Sequence, residues 1–107
     1  LTVHRGDVEE YCAGSVANLF ESAGGKVIYF GKPYKEIYRM CLEDGEKTVA
    51  IGDNLNTDIK GANNMNIDSI FISNGVHRAD FKDDTELVAL LLRYKVTASY
   101  YQQQLIW

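Results

Sequence analysis

Apolar residues at Val8, Cys12, Val16, Leu19, Phe20 and Ala23 recur every three or four positions, the stripe of a helix that buries one face. Asp7 stands where an N-cap belongs, and Gly24 and Gly25 stand where a helix stops. The pattern therefore predicts one helix through "DVEEYCAGSVANLFESAGG". The period then changes. "KVIYFG" is short and apolar, which predicts a strand, and Lys32 and Pro33 follow it at once. Proline suits the first turn of a helix, where its missing N–H would have had no partner. A second helix is expected over "YKEIYRMCLED", stopping at Gly45.

Two further runs, "KTVAIG" and "DSIFIS", are apolar and β-branched without strict alternation, as in strands covered on both faces. The stretch between them, "NTDIKGANNMN", has room for about three helical turns, with Asn56 or Thr57 as its cap. Strand, helix and strand at this spacing form a βαβ unit with parallel strands and a right-handed crossover. Asp83 and Glu86 have capping-box spacing ahead of "LVALLLRY", an apolar helix. The closing "VTASYYQQQLIW" is aromatic and uncharged, which predicts a segment packed on the body. The chain reads as α/β, with no internal repeat, low-complexity tract or linker.

Length and composition narrow the function classes. The 107 residues make one small domain, which would bury roughly 65% of its unfolded surface. An apolar fraction of 46% and a charged fraction of 24% are ordinary for globular chains. The net charge is −4 and lysines and arginines are scattered singly, so no basic stripe invites a nucleic acid partner. Apolar runs such as "LVALLL" fall far short of the ~20 residues a membrane span needs, and no leader opens the chain; a cytoplasmic setting with no membrane partner is expected. Cys12 and Cys41 are lone thiols in helix-like stretches and read as small core residues. His4 and His77 lack metal-ligand spacing and read as loop or internally satisfied histidines. The chain opens with Leu1 and its methionines are Met40 and Met65, so the sequence reads as truncated, processed or mis-started at its N-terminus.

The chemistry concentrates in "AIGDNLNTDIKGA". Ligands of open α/β sheets bind outside the carboxyl ends of the strands, and Asp53 follows such a strand directly, with Gly52 leaving the backbone approach open. Magnesium takes one or two protein carboxylates, with water and phosphate oxygens completing an octahedron. Asp53 is the expected magnesium (Mg2+) ligand and Asp58 its support. Lys32, at the end of another expected strand, can bring a point charge to phosphate oxygens at the same mouth.

"GKPYKEIY" followed by "IGDNLNTDIKGA" resembles the third and fourth motifs of the haloacid dehalogenase (HAD) superfamily of hydrolases. "CAGSVANLFESAGGKVIYFGKP" is similar to its class IIA branch, phosphatases with a large α/β cap inserted before the third motif. The likeness runs over roughly residues 5 to 77. It implies a magnesium-dependent phosphatase of small phosphorylated metabolites working through an aspartyl-phosphate. Lys32 would hold nucleophile and phosphate, Asp53 the metal, and Asp58 would support it, with Asn54 and Thr57 as supporting or capping residues. Residues 1–30 would be the C-terminal remnant of the cap, and residues 31–107 the C-terminal half of a Rossmann-like core.

The same resemblance exposes a gap. The family attacks phosphate with an Asp in a D-x-D motif, assisted by a Ser or Thr in a second motif, and these 107 residues contain neither. Asp83 and Asp84 follow a loop and introduce a helix, so they read as caps. The family's sheet sets the missing strand beside the one carrying Asp53, which leaves an apolar edge open to association. The expected partner is the missing N-terminal half or a second copy. The competing expectation is a non-catalytic piece of a split or decaying gene, acting at most as a metal-binding or complementing module.

Overall fold

The computed structural model describes residues 2–5, 8–43 and 45–106, with side chains from Glu10 onward. Strands β1 (Thr2–Arg5) and β2 (Val8–Tyr11) form an antiparallel ribbon in which Thr2 faces Tyr11 and Arg5 faces Val8. Helices α1 (Ala13–Ser22) and α2 (Lys35–Cys41) follow. Next come β3 (Val49–Gly52), a π-helical turn over Leu55–Ile59 that runs into α3 (Lys60–Met65), and β4 (Asp68–Ile72). Helix α4 (Asp84–Tyr94) and β5 (Tyr100–Gln102) complete the order. The three later strands form a parallel sheet in the order β3-β4-β5. The α/β class and the βαβ unit expected from the sequence are both present.

The first helix is shorter than the apolar spacing predicts. Its opening residues are strand β2 instead, because the backbone groups of Val8–Tyr11 find partners across β1, a pairing that a helical count cannot register. Cys12, with extended backbone, becomes the N-cap of α1, and Asp7, the expected cap, lies outside the described residues. No residue of α1 is buried; Val16, Leu19 and Phe20 stand exposed.

"KVIYFG" is not a strand in the structure: residues 25–30 are irregular, with Ile28 and Phe30 exposed. A strand exists only through a neighbour, and among the described residues none pairs with it. Side chains hold this segment instead. The Tyr29 hydroxyl donates to Glu21 at 2.9 Å, and its ring stacks on Tyr34 at 4.7 Å. Tyr34 caps α2, so Pro33 sits just ahead of the helix rather than within its first turn. The helix ends at Cys41, before Gly45 turns the chain at φ 86°. Cys41 is exposed and Cys12 only half-buried, so neither thiol is the core residue expected.

The core lies on one side of the sheet. Phe71 of β4, Leu55 and Ile59 of the π-helical turn, Leu87 and Leu90 of α4, and Val96 form a single buried cluster. Each large side chain so buried contributes about 1.5–3 kcal/mol. The α4 start is capped as predicted: Asp83 accepts the Glu86 N–H at 2.9 Å, while Glu86 reaches back to the Lys82 N–H at 2.8 Å. Helices α3 and α4 both end in left-handed residues, Asn66 and Lys95. Their last carbonyls are met by the N–H groups of Ile67 and Val96, each at 3.1 Å.

The aromatic tail docks through its backbone rather than its rings. Strand β5 extends the sheet, and the N–H groups of Ser73 and Asn74 donate to the carbonyls of Gln102 and Gln103. Tyr100 nevertheless remains 66% exposed, because β5 is an edge strand and its rings find no covering layer among the described residues. The Tyr101 hydroxyl donates to Asp84 at 2.6 Å.

Candidate active site

Strand β3 ends at Gly52, and the next residues turn across the carboxyl end of the sheet. Asn54 accepts the Asn56 N–H on its side-chain oxygen at 2.9 Å and so caps the π-helical turn. Neither Asn56 nor Thr57 is the cap, because the turn begins two or three residues earlier than the helical count suggests. Thr57 makes no side-chain hydrogen bond among the described residues. The turn carries Asp58 back toward the strand it left.

Asp58 gathers two donors. The Lys32 ammonium donates to Oδ1 at 2.5 Å, and the Asn54 N–H donates to Oδ2 at 3.1 Å. The lysine side chain is 55% exposed and the aspartate 11%, so the pair sits at a mouth rather than in the interior. Asp58 holds the Lys32 ammonium above its usual pKa, first through this hydrogen bond and then through its charge. Partial burial opposes the shift, while the nearby charge of Asp53 adds to it. Lys32 and Asp53 therefore share one field.

Asp53 is half-buried, and its Oδ2 accepts the Val76 N–H at 2.9 Å from the loop after β4. Its Oδ1 has no hydrogen-bond partner among the described residues. Two glycines permit this closeness: a Cβ on Gly75 would overlap the Asp53 carboxylate, and one on Gly52 would overlap Asp58.

Two supporting residues escape a reading of the sequence, and a third, His77, is the internally satisfied histidine expected. Asn64 of α3 donates to the Pro33 carbonyl at 2.9 Å, tying the Lys32 loop to the crossover. Tyr38 of α2 lies over Gly61, where a Cβ would overlap its hydroxyl. Its phenol is raised by burial, lowered by Lys32 and raised by Asp58, so it borders the ion pair. His77 is buried and accepts the Leu55 N–H at 3.3 Å. Nothing in the sequence pattern singles out Tyr38 or Asn64.

The donor set fits magnesium as part of a shell. Asp53 offers a free carboxylate oxygen, and a hard cation takes oxygen ligands while keeping several waters. Asp58 is occupied by Lys32 and Asn54, which suits it to orient rather than to ligate. Among the described residues no group of three or more His, Cys, Asp or Glu side chains gathers as a closed metal cage.

An ammonium and two carboxylates thus gather at the carboxyl end of a parallel sheet. Comparison with known proteins gives the family. The HAD-hydrolase-like family matches residues 29–93. Ribonucleotide monophosphatase NagD of Escherichia coli (strain K12) is 34% identical over 73 residues, covering 64% of this chain and 29% of that protein. Dihydroxyacetone phosphatase of Corynebacterium glutamicum (strain R) is 33% identical over 79 residues, covering 69% of this chain and 27% of that protein. A haloacid dehalogenase-like hydrolase from Brucella suis 1330 superposes with a TM-score of 0.69 at 28% identity, over 98% of this chain and 41% of that one. The p-nitrophenyl phosphatase from Archaeoglobus fulgidus shares the fold, with a TM-score of 0.74 at 17% identity, over 96% and 40%. The chain belongs to the haloacid dehalogenase superfamily, in its class IIA phosphatase branch. It spans under a third of the length of the two phosphatases matched by sequence.

No helix among the described residues is long and apolar enough to cross a membrane.

Proposed function

We propose that this chain supplies the phosphate-holding half of a magnesium-dependent phosphatase acting on a small phosphate monoester. The observation that carries the reading is the Lys32–Asp58 pair set beside Asp53 at the carboxyl end of β3. Lys32, steadied by Asp58, presents a positive charge to phosphate oxygens. Asp53, steadied by Val76, presents an oxygen to the cation. Magnesium, when bound there, supplies further neutralisation of the phosphate's charge. Such charge placement in a fixed cleft is the protein's main contribution to phosphoryl transfer.

The attacking carboxylate comes from outside these 107 residues and forms an aspartyl-phosphate that water then hydrolyses. Among the described residues nothing pairs with the outer edge of β3. A parallel strand added there would end beside Asp53. In this reading residues 1–30 belong to the cap and residues 31–107 to the core, and the partner is the N-terminal half that bears the D-x-D motif. The three relatives named for a substrate act on a ribonucleotide monophosphate, on dihydroxyacetone phosphate and on p-nitrophenyl phosphate. Small monoesters are their common ground.

The test is hydrolysis of p-nitrophenyl phosphate with and without magnesium, by the chain alone and after mixing with the N-terminal half of a class IIA phosphatase. The expected result is no turnover alone and magnesium-dependent turnover in the mixture, lost with Asp53→Asn. Turnover by the chain alone would refute the borrowed nucleophile, and a mixture indifferent to Asp53→Asn would refute the metal role.

A further inference from the structure

His77 joins the two loops of the site. It is 7% exposed, lies one residue after Val76, and accepts the Leu55 N–H on Nε2 at 3.3 Å. A backbone N–H can only donate, so Nε2 carries no proton in this arrangement. The proton then sits on Nδ1, which donates to Asp80 at 2.7 Å. Two ring contacts fix the plane of the imidazole: Tyr94 meets it edge-on at 5.1 Å, and Phe71 lies at 6.4 Å. Asp80, His77 and the Leu55 N–H thus form a relay of defined polarity, like the carboxylate partners that orient functional histidines.

The placement of this relay matters. Leu55 opens the π-helical turn that carries Asp58, two residues beyond Asp53. Val76, bonded to the Asp53 carboxylate, is the neighbour of His77. Consecutive residues of one loop therefore grip the site loop twice, at the Asp53 side chain and at the start of the turn. If the His77 grip is lost, the Val76 grip alone must hold the second loop in place, and Gly75 beside it offers little stiffness of its own.

We infer that His77 is a positioning residue that holds the loop after β4 against the Asp53–Asp58 loop and so fixes the direction of the Asp53 carboxylate. Its consequence for cation binding rests on the magnesium reading given above, whereas the linkage between the loops does not.

The experiment is amide hydrogen exchange, read by NMR on the parent chain, His77→Phe and His77→Gln, with a magnesium titration of each. Phenylalanine keeps the ring volume but removes the acceptor, whereas glutamine returns an oxygen near the Nε2 position. Exchange at both Leu55 and Val76 is expected to rise about tenfold in His77→Phe, with the Phe71 amide unchanged, and to recover in His77→Gln. Magnesium affinity is expected to fall about tenfold in His77→Phe and to recover likewise. If only Leu55 responds, or if Val76 and Phe71 accelerate together without rescue by glutamine, His77 is a core residue and the inference is overturned. If Leu55 and Val76 respond together but the parent chain binds no magnesium, the linkage stands and the metal reading fails. If the parent binds magnesium and Val76 is indifferent to residue 77, the reverse holds.

Discussion

Lys32 and Asp58 meet at 2.5 Å, although one lies ahead of α2 and the other in the turn after β3. The contact joins the two motifs of the sequence that carry chemistry. It works because Asp58 is anchored on its second oxygen by the Asn54 N–H, so the mobile partner is the lysine alone. One end of the pair is prepaid by the backbone, and the other remains free to turn toward a ligand.

The pair has a pH signature. Asp58 raises the Lys32 ammonium above its usual value of 10.5. A raised lysine stabilises the fold fully below its ordinary value and loses that contribution as pH climbs through the folded one. Because Lys32 is more than half exposed, screening limits the contribution to about 0.5 kcal/mol. Lys32→Met is therefore expected to be slightly less stable than the parent at pH 8 and equal to it at strongly alkaline pH. Paired thermal melts at the two pH values measure this.

Glycine positions separate site strain from ordinary backbone strain. A Cβ at residue 75 collides with the Asp53 carboxylate, whereas Gly45 has open space but φ 86°. Gly75→Ala is expected to cost about 1–3 kcal/mol through overpacking and to weaken magnesium binding. Gly45→Ala is expected to cost about 1 kcal/mol through backbone conformation and leave the metal untouched. Urea unfolding and calorimetric titration of both variants distinguish the two effects.

The elements that read correctly from sequence are those whose evidence is local. The Asp83–Glu86 cap, the apolar runs of β3 and β4, and the short crossover between them depend on residues close in the chain, and the structure has them all. The misread elements depend on a distant partner. Val8–Tyr11 is a strand because β1 lies opposite it, while "KVIYFG" is irregular because no described strand lies beside it. The site divides the same way. Lys32, Asp53 and Asp58 announce themselves by chemistry and spacing. Asn64, Tyr38 and His77 act through contacts with backbone or with residues more than twenty positions away, or through a glycine gap, and none of these has a sequence signature.

Phe71 tests how much stability this small core holds. It is fully buried, and its ring lies 6.4 Å from both His77 and Phe81. Truncating such a ring costs about 3–5 kcal/mol, which approaches the lower end of the ~5–15 kcal/mol that holds a domain folded. Phe71→Ala is expected to be largely unfolded at room temperature, and Phe71→Leu folded but weaker. Circular dichroism and urea titration of the two variants check the difference.

The outer edge of β3 predicts association. Val49 and Ile51 of this strand are 47% and 40% exposed, although their apolar, β-branched character suits a covered position. An apolar strand with unpaired backbone groups templates pairing with another chain, and a charge on such an edge suppresses it. The chain alone is therefore expected to self-associate with rising concentration, and Ile51→Lys to shift it toward monomer. Addition of a D-x-D-bearing N-terminal half should have the same effect by occupying the edge. Sedimentation velocity across a concentration series reads all three. A parent chain that sediments as a monomer throughout and melts in one sharp transition would show that the edge is already protected, which would remove the structural reason for a borrowed strand.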